Sequence, residues 1–158
     1  MTEQYLRALI DGLRQKEEIL DKLTEDTEKQ FRIVSDEKID WEAFDSIIDD
    51  KASLIDKLNV IDEGFQAVFD RIKDEVKANQ EKYRDHIAQL QYGIQCVTEK
   101  STSLMALEER TRAKVSSTFG RERKQIVQTR SKNRVANSYY NNMNRMNYID
   151  PQLMDKKK

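Results

Sequence analysis

The residues able to do covalent chemistry are few. The 158-residue chain has one histidine, His86, and one cysteine, Cys96. His86 follows Asp85, but a di-iron helical site carries a Glu three residues before each of two histidines. Here that place holds Tyr83, and there is no second His. His86 therefore reads as an ordinary helix-surface residue. Cys96 adjoins Val97 on an apolar side and reads as a buried structural thiol. One Cys and one His are too few soft ligands for a zinc site, and one Cys excludes an internal disulfide framework. The four Gly form no phosphate-cradling loop. Carboxylates are plentiful, but on long helices they make a solvated face. These residues point away from an enzyme and call for no metal and no cofactor.

Binding chemistry gathers toward the C-terminal end. Arg110, Arg112, Lys114, Arg121, Arg123, Lys124, Arg130, Lys132 and Arg134 form a basic strip, and Tyr139 and Tyr140 offer rings for base stacking, so nucleic acid is one reading. The plainer reading is a basic tail that complements an acidic body. Ala136, Tyr139, Tyr140, Met143 and Met146 fall at i, i+3, i+4, i+7 and i+10, which is one helical face. Met adapts to more than one partner shape, and Tyr gives contact area at low entropic cost. Val115, Phe119, Ile126 and Val127 extend apolar surface upstream. Such a face either packs on the chain's own core or receives an amphipathic helix from a partner.

The elements that must carry these residues are helical. One Pro and four Gly leave almost no turn chemistry for a sheet fold, and charged residues at 36% with mean hydropathy −0.86 suit long, solvated helices. Net charge is −1, yet residues 1–108 carry 15 Lys+Arg and 25 Asp+Glu, a net of −10, while residues 109–158 carry 13 and 4, a net of +9. Met1 to Asp11 has no basic stretch leading into an apolar core, so no secretory signal is expected. The longest uncharged run before residue 120, His86 to Thr98, has 13 residues and three Gln, too short and polar to span a bilayer. A cytoplasmic protein is the expectation.

Leu6, Leu13, Leu20, Thr27 and Val34 recur at heptad spacing, with Leu9, Ile10, Leu23 and Phe31 interleaved, and predict a helix from about residue 2 to 34. Lys16 and Glu17 interrupt the interleaved row, so the seam is expected to be imperfect. Residues 35–40 are polar and should end that helix, with Asp40 capping the next. A second long region then runs on rows through Phe44, Lys51, Leu58, Phe65 and Ile72, and later Val76, Tyr83, Leu90, Val97 and Leu104. The four-residue phase change reads as a stutter inside one helix, with a kink or break expected near Gly64 and a second weak point at Gly93. Ser116 to Gly120 reads as a break. Beyond it, six Asn between Asn133 and Asn147 give the tail weak intrinsic helical order.

Three segments together resemble the FlgN-like flagellar export chaperones. The first is Leu9 to Leu23 with its Lys16-Glu17-Glu18-Ile19-Leu20. The second is Phe44 to Leu58, followed by Ile61-Asp62-Glu63-Gly64-Phe65. The third is the ending, from Ala136 through Tyr139 and Tyr140 to Lys158. The resemblance implies a small all-helical cytoplasmic chaperone of the flagellar type III pathway, with no ATP hydrolysis and no cofactor. Its partners would be hook–filament junction proteins, bound through the C-terminal region, and the flagellar export gate. Tyr139 or Tyr140 would be the gate-docking tyrosine.

The expected fold is all-α, a long antiparallel helical hairpin or coiled-coil-like bundle. Residues 1–115 form its body, and residues 116–158 a weakly ordered, basic, client-binding tail. Leu13, Leu20 and Leu23 should meet Phe44, Ile48, Ile55 and Leu58. The expected partner-binding residues are Val115, Phe119, Ile126, Val127, Tyr139, Tyr140, Met143 and Met146. A homodimer stays open, and the alternative function is a structural coiled-coil adaptor or a nucleic-acid-binding helical protein.

Overall fold

A computed structural model describes residues 1–118. They form three long helices, α1 (Thr2–Ser35), α2 (Trp41–Ala78) and α3 (Arg84–Ser117), and there is no strand among the described residues. At ~1.5 Å per residue each helix runs about 50–57 Å. The buried positions of α1 are Thr2, Leu6, Leu9, Leu13, Lys16, Leu20, Leu23, Thr27, Gln30 and Val34. Their steps alternate four and three residues without a break, which is a heptad seam along the whole helix. The heptad seam continues on α2 from Trp41 through Ile48, Ile55 and Asp62 to Val76, and on α3 from Ile87 through Val97 and Leu104 to Val115.

The chain runs up, down and up. Residues 36–40 join α1 to α2, and Asp40 caps α2 as expected, its Oδ1 accepting from the Ala43 amide at 3.0 Å. Antiparallel register between α1 and α2 is set by Lys16 on Asp62 and Gln30 on Lys51. α1 and α3 are parallel, offset by about 80 residues, as Leu13 meets Gly93 and Asp21 meets Lys100. α1 packs closely on both other helices, while α2 and α3 keep their backbones further apart.

Three layers of polar side chains cross this bundle. Near its closed end, the Thr2 hydroxyl donates to Glu75 at 2.7 Å and the Tyr83 hydroxyl donates to the other Glu75 oxygen at 3.0 Å. Further along, Lys16 and Asp62 pair at 2.6 Å, both nearly sealed from water. The third layer draws on all three helices. Lys51 Nζ lies 2.5 Å from Glu108 and donates to Gln30 Oε1 at 2.8 Å. Gln30 Nε2 in turn donates to the Phe44 carbonyl at 3.3 Å. The Thr27 hydroxyl lies 2.8 Å from the Leu23 carbonyl and 3.3 Å from Glu108. Burial of Lys16, Asp62, Lys51 and Glu108 is tolerable because each faces a counter-charge, and Lys51 and Glu108 have polar partners besides.

Four expectations are corrected. The second helical region is two helices, and α2 runs unbroken through Gly64; the chain turns at residues 79–83 instead. A Cβ at Gly64 would meet nothing within 4 Å, so that glycine faces open space and its flexibility is not used. The turn was hidden because one heptad row, Ile48, Ile55, Asp62, Phe69, Val76, Tyr83, Leu90, Val97 and Leu104, passes through it in phase. Asn79 marks it, donating from its side chain to the Glu75 carbonyl at 2.8 Å. Lys16 does not interrupt the seam but occupies it. Finally, Leu13, Leu20 and Leu23 share a cluster with Ile55 and Leu58, whereas Phe44 and Ile48 belong to a second cluster with Val34, Trp41 and Val115. The Gln30–Lys51–Glu108 layer lies between the two.

Three outcomes test this packing. Glu108→Leu alone strands the Lys51 ammonium and should lower unfolding free energy by about 3–5 kcal/mol in urea titrations, while adding Lys51→Met should restore most of it. Gly64→Ala should gain about 1 kcal/mol from helix propensity. By contrast, Gly93→Ala should lose about 1–3 kcal/mol, because its Cβ would sit 2.9 Å from Leu13 Cδ1 and 3.3 Å from Leu13 Cβ. The third outcome concerns acid. Hydrogen bonds from Thr2, then from Tyr83, hold the Glu75 carboxyl below its ordinary value. A depressed carboxyl stabilises the fold above the ordinary carboxylate range and loses that contribution as pH falls through it. Thermal melts from pH 7 to 3 should therefore show a shallower acid decline in Glu75→Gln than in the parent.

Candidate partner-binding site

Most of the expected binding surface lies outside the described residues. Phe119, Ile126, Val127, Tyr139, Tyr140, Met143 and Met146 all follow Thr118, the last of them. Val115 is described, and it is 1% exposed in the cluster with Val34, Trp41, Phe44 and Ile48. Its side chain serves the bundle's own core. α3 ends just beyond it at Ser117, where the Thr118 hydroxyl donates back to the Val115 carbonyl at 2.7 Å. The basic strip begins inside α3: Arg110 lies over the Phe31 ring at 4.9 Å and Arg112 pairs with Glu109 at 2.9 Å.

The lone His and Cys have plain settings. His86 is half-buried in the first turn of α3, and Cys96 is free and only half-buried, not buried as expected. Among the described residues no group of three or more His, Cys, Asp or Glu is placed to hold a metal ion. No described helix is long and apolar enough to cross a membrane.

The described surface carries a groove between α1 and α3. Ile10, Leu13, Arg14 and Glu17 of α1 and Ala88, Gln89, Tyr92 and Gly93 of α3 line this groove of about 340 Å³. Gly93 forms part of its wall, and its missing side chain lets Leu13 close against α3. Tyr92 stands at its edge, 69% exposed, one of three large apolar side chains so exposed among the described residues. The Tyr92 phenol is pushed above its ordinary value, first by its interaction with Cys96 one turn on, then by burial and by the Glu17 and Glu99 carboxylates. The lining is mainly apolar, with Arg14 and Glu17 as its two charged groups, and suits an apolar occupant that carries a polar edge.

This groove was missed because its two walls are about 80 residues apart in sequence. Gly93 was the available signal, and its helix-weakening tendency masked its packing role.

The family model described as FlgN protein matches residues 1–117. The chain belongs to the FlgN family. The match covers all three helices and ends where α3 ends. FlgN membership makes the chain one of a family of flagellar export chaperones, which are not enzymes. Of the segments that carried the resemblance, Leu9 to Leu23 lies on α1 and Phe44 to Phe65 on α2. For this FlgN chain, comparison with curated proteins and with solved structures finds no match.

Proposed function

We propose that this chain holds hook–filament junction proteins in the cytoplasm and delivers them to the flagellar type III export gate. In this reading residues 1–115 are the rigid body and residues 116–158 the client-binding tail. The observation that carries it is the FlgN match over residues 1–117. The helical face of Tyr139, Tyr140, Met143 and Met146 then supplies a binding surface of the right kind. A junction subunit's terminal helix is amphipathic and aggregates alone, and a partner face of adaptable Met and Tyr covers it. A tail that orders on binding moderates affinity, which suits a cargo that must be released at the gate. Tyr139 or Tyr140 is the gate-docking tyrosine of this proposal. Phe119, Ile126 and Val127 extend the client contact upstream.

The test is calorimetric titration of the full chain with a hook–filament junction protein. Each buried aromatic or Met side chain is worth about 1.5–3 kcal/mol. Tyr140→Ala with Met143→Ala should therefore weaken client binding at least about tenfold. The melting temperature should hold, because the seam of α1, α2 and α3 is built from residues 2–115. Intact affinity with a lowered melting temperature would make the face part of the core and end this assignment. Tight nucleic-acid binding that falls steeply with salt would favour the basic strip as the working surface instead.

A further inference from the structure

We infer that the α1–α3 groove at Tyr92 is the docking site for this chain's own segment 136–146 when no partner is bound. Reach is the first argument. Thr118 is the last described residue, Tyr92 lies 26 positions before it, and Met143 lies 25 positions after it. At ~1.5 Å per residue both arms are about 38 Å long. Were residues 121–146 to return along α3 as a helix, Met143 and Met146 would come level with the groove. An extended chain reaches it with length to spare.

Charge is the second argument. The body through residue 108 carries a net −10, while residues 119–147 hold seven Lys+Arg and one Glu, a net of +6. At the groove itself Glu17 stands in the lining with Arg14, so the attraction is that of the acidic body as a whole. The attraction between body and segment is intramolecular, so the local concentration of the segment is high without any added partner.

Side-chain chemistry is the third. The segment's face presents two tyrosines and two methionines. Met sulfur and aromatic rings pack favourably at ring edges, and the groove offers the exposed Tyr92 ring above Ile10 and Leu13. The same face is the client surface of the proposed function, so groove and client compete for it. The docking itself requires no client and is measured without one.

Cys96 makes the test direct, because it is the chain's single cysteine, half-exposed one helical turn from Tyr92. Full-length Met143→Cys, Met146→Cys, Ser138→Cys and Asn141→Cys are oxidised with copper–phenanthroline at low salt, with no client present. At helical spacing Ser138 and Asn141 would fall on the side opposite Met143. Disulfides to Cys96 within one chain are followed by non-reducing electrophoresis and mass spectrometry. Met143→Cys or Met146→Cys should close at least about tenfold faster than the two controls. The rate should drop in 1 M salt, where screening acts over about 3 Å. Equal rates at all four positions would overturn the proposal, as would disulfides that join two chains, which would make a second copy the occupant. The seam of α1, α2 and α3 is built from residues 2–115, and an unchanged melting temperature confirms that each variant is folded. If the cross-link forms and client titration fails, the proposed function falls while this docking stands. The converse result leaves the function and removes the docking.

Discussion

The bundle depends on one buried contact, Lys51 with Glu108. α2 and α3 keep their backbones apart, and this pair spans the gap between them. Desolvating two charges is costly, and their mutual attraction compensates only when geometry and hydrogen bonds are right. Here Gln30 from α1 accepts from the Lys51 ammonium and the Thr27 hydroxyl sits beside Glu108, so α1 reads the position of both partners. The consequence is register. A slip of α3 by one heptad would set Lys51 opposite Ser101 or Val115 and leave its charge unanswered. Apolar rows that repeat every seven residues cannot make that distinction, since each slip replaces one Leu or Ile with another. Lys16 with Asp62 makes the same demand of the α1–α2 pair.

Much of this was legible in the residues. The length of α1, its end near Ser35 and the Asp40 cap follow from heptad rows and local capping chemistry. The α2–α3 turn was not legible, because Val76, Tyr83 and Leu90 keep seven-residue spacing across it and no Pro or Gly interrupts. What marks the end of α2 is a side-chain bond that spacing does not show: Asn79 donates back to the Glu75 carbonyl, and residues 79–83 turn the chain into α3. Gly64 misled for the opposite reason, since a lone glycine on the open side of a well-packed helix costs too little to break it. Lys16 misled because its partner lies 46 positions away, and a charge in an apolar row looks like an error until the counter-charge is seen.

The site divides in the same manner. The Tyr139 to Met146 face is local in sequence, is an expectation from spacing alone, and lies outside the described residues. The Tyr92 groove is made by two helices brought side by side, and no single window of sequence contains it. Family membership rests on the three helices, whereas the client contact of the proposed function is assigned to residues beyond them. The body is a stable, charge-registered rod, and the adaptable side chains are placed on the segment attached to its end.

The parallel arrangement of α1 and α3 bears on how the chain folds. Contacts between α1 and α2 close loops as short as 14 residues, from Gln30 to Phe44, whereas those between α1 and α3 join positions about 80 apart. Loop-closure entropy and contact order therefore favour the α1–α2 hairpin as the early nucleus and the docking of α3 as the late step. During synthesis the hairpin can zip while α3 is still emerging, with Lys51 held by Gln30 until Glu108 arrives. Substitutions at Glu108 should then chiefly accelerate unfolding, while those in the Leu20 and Leu58 layer should slow folding itself.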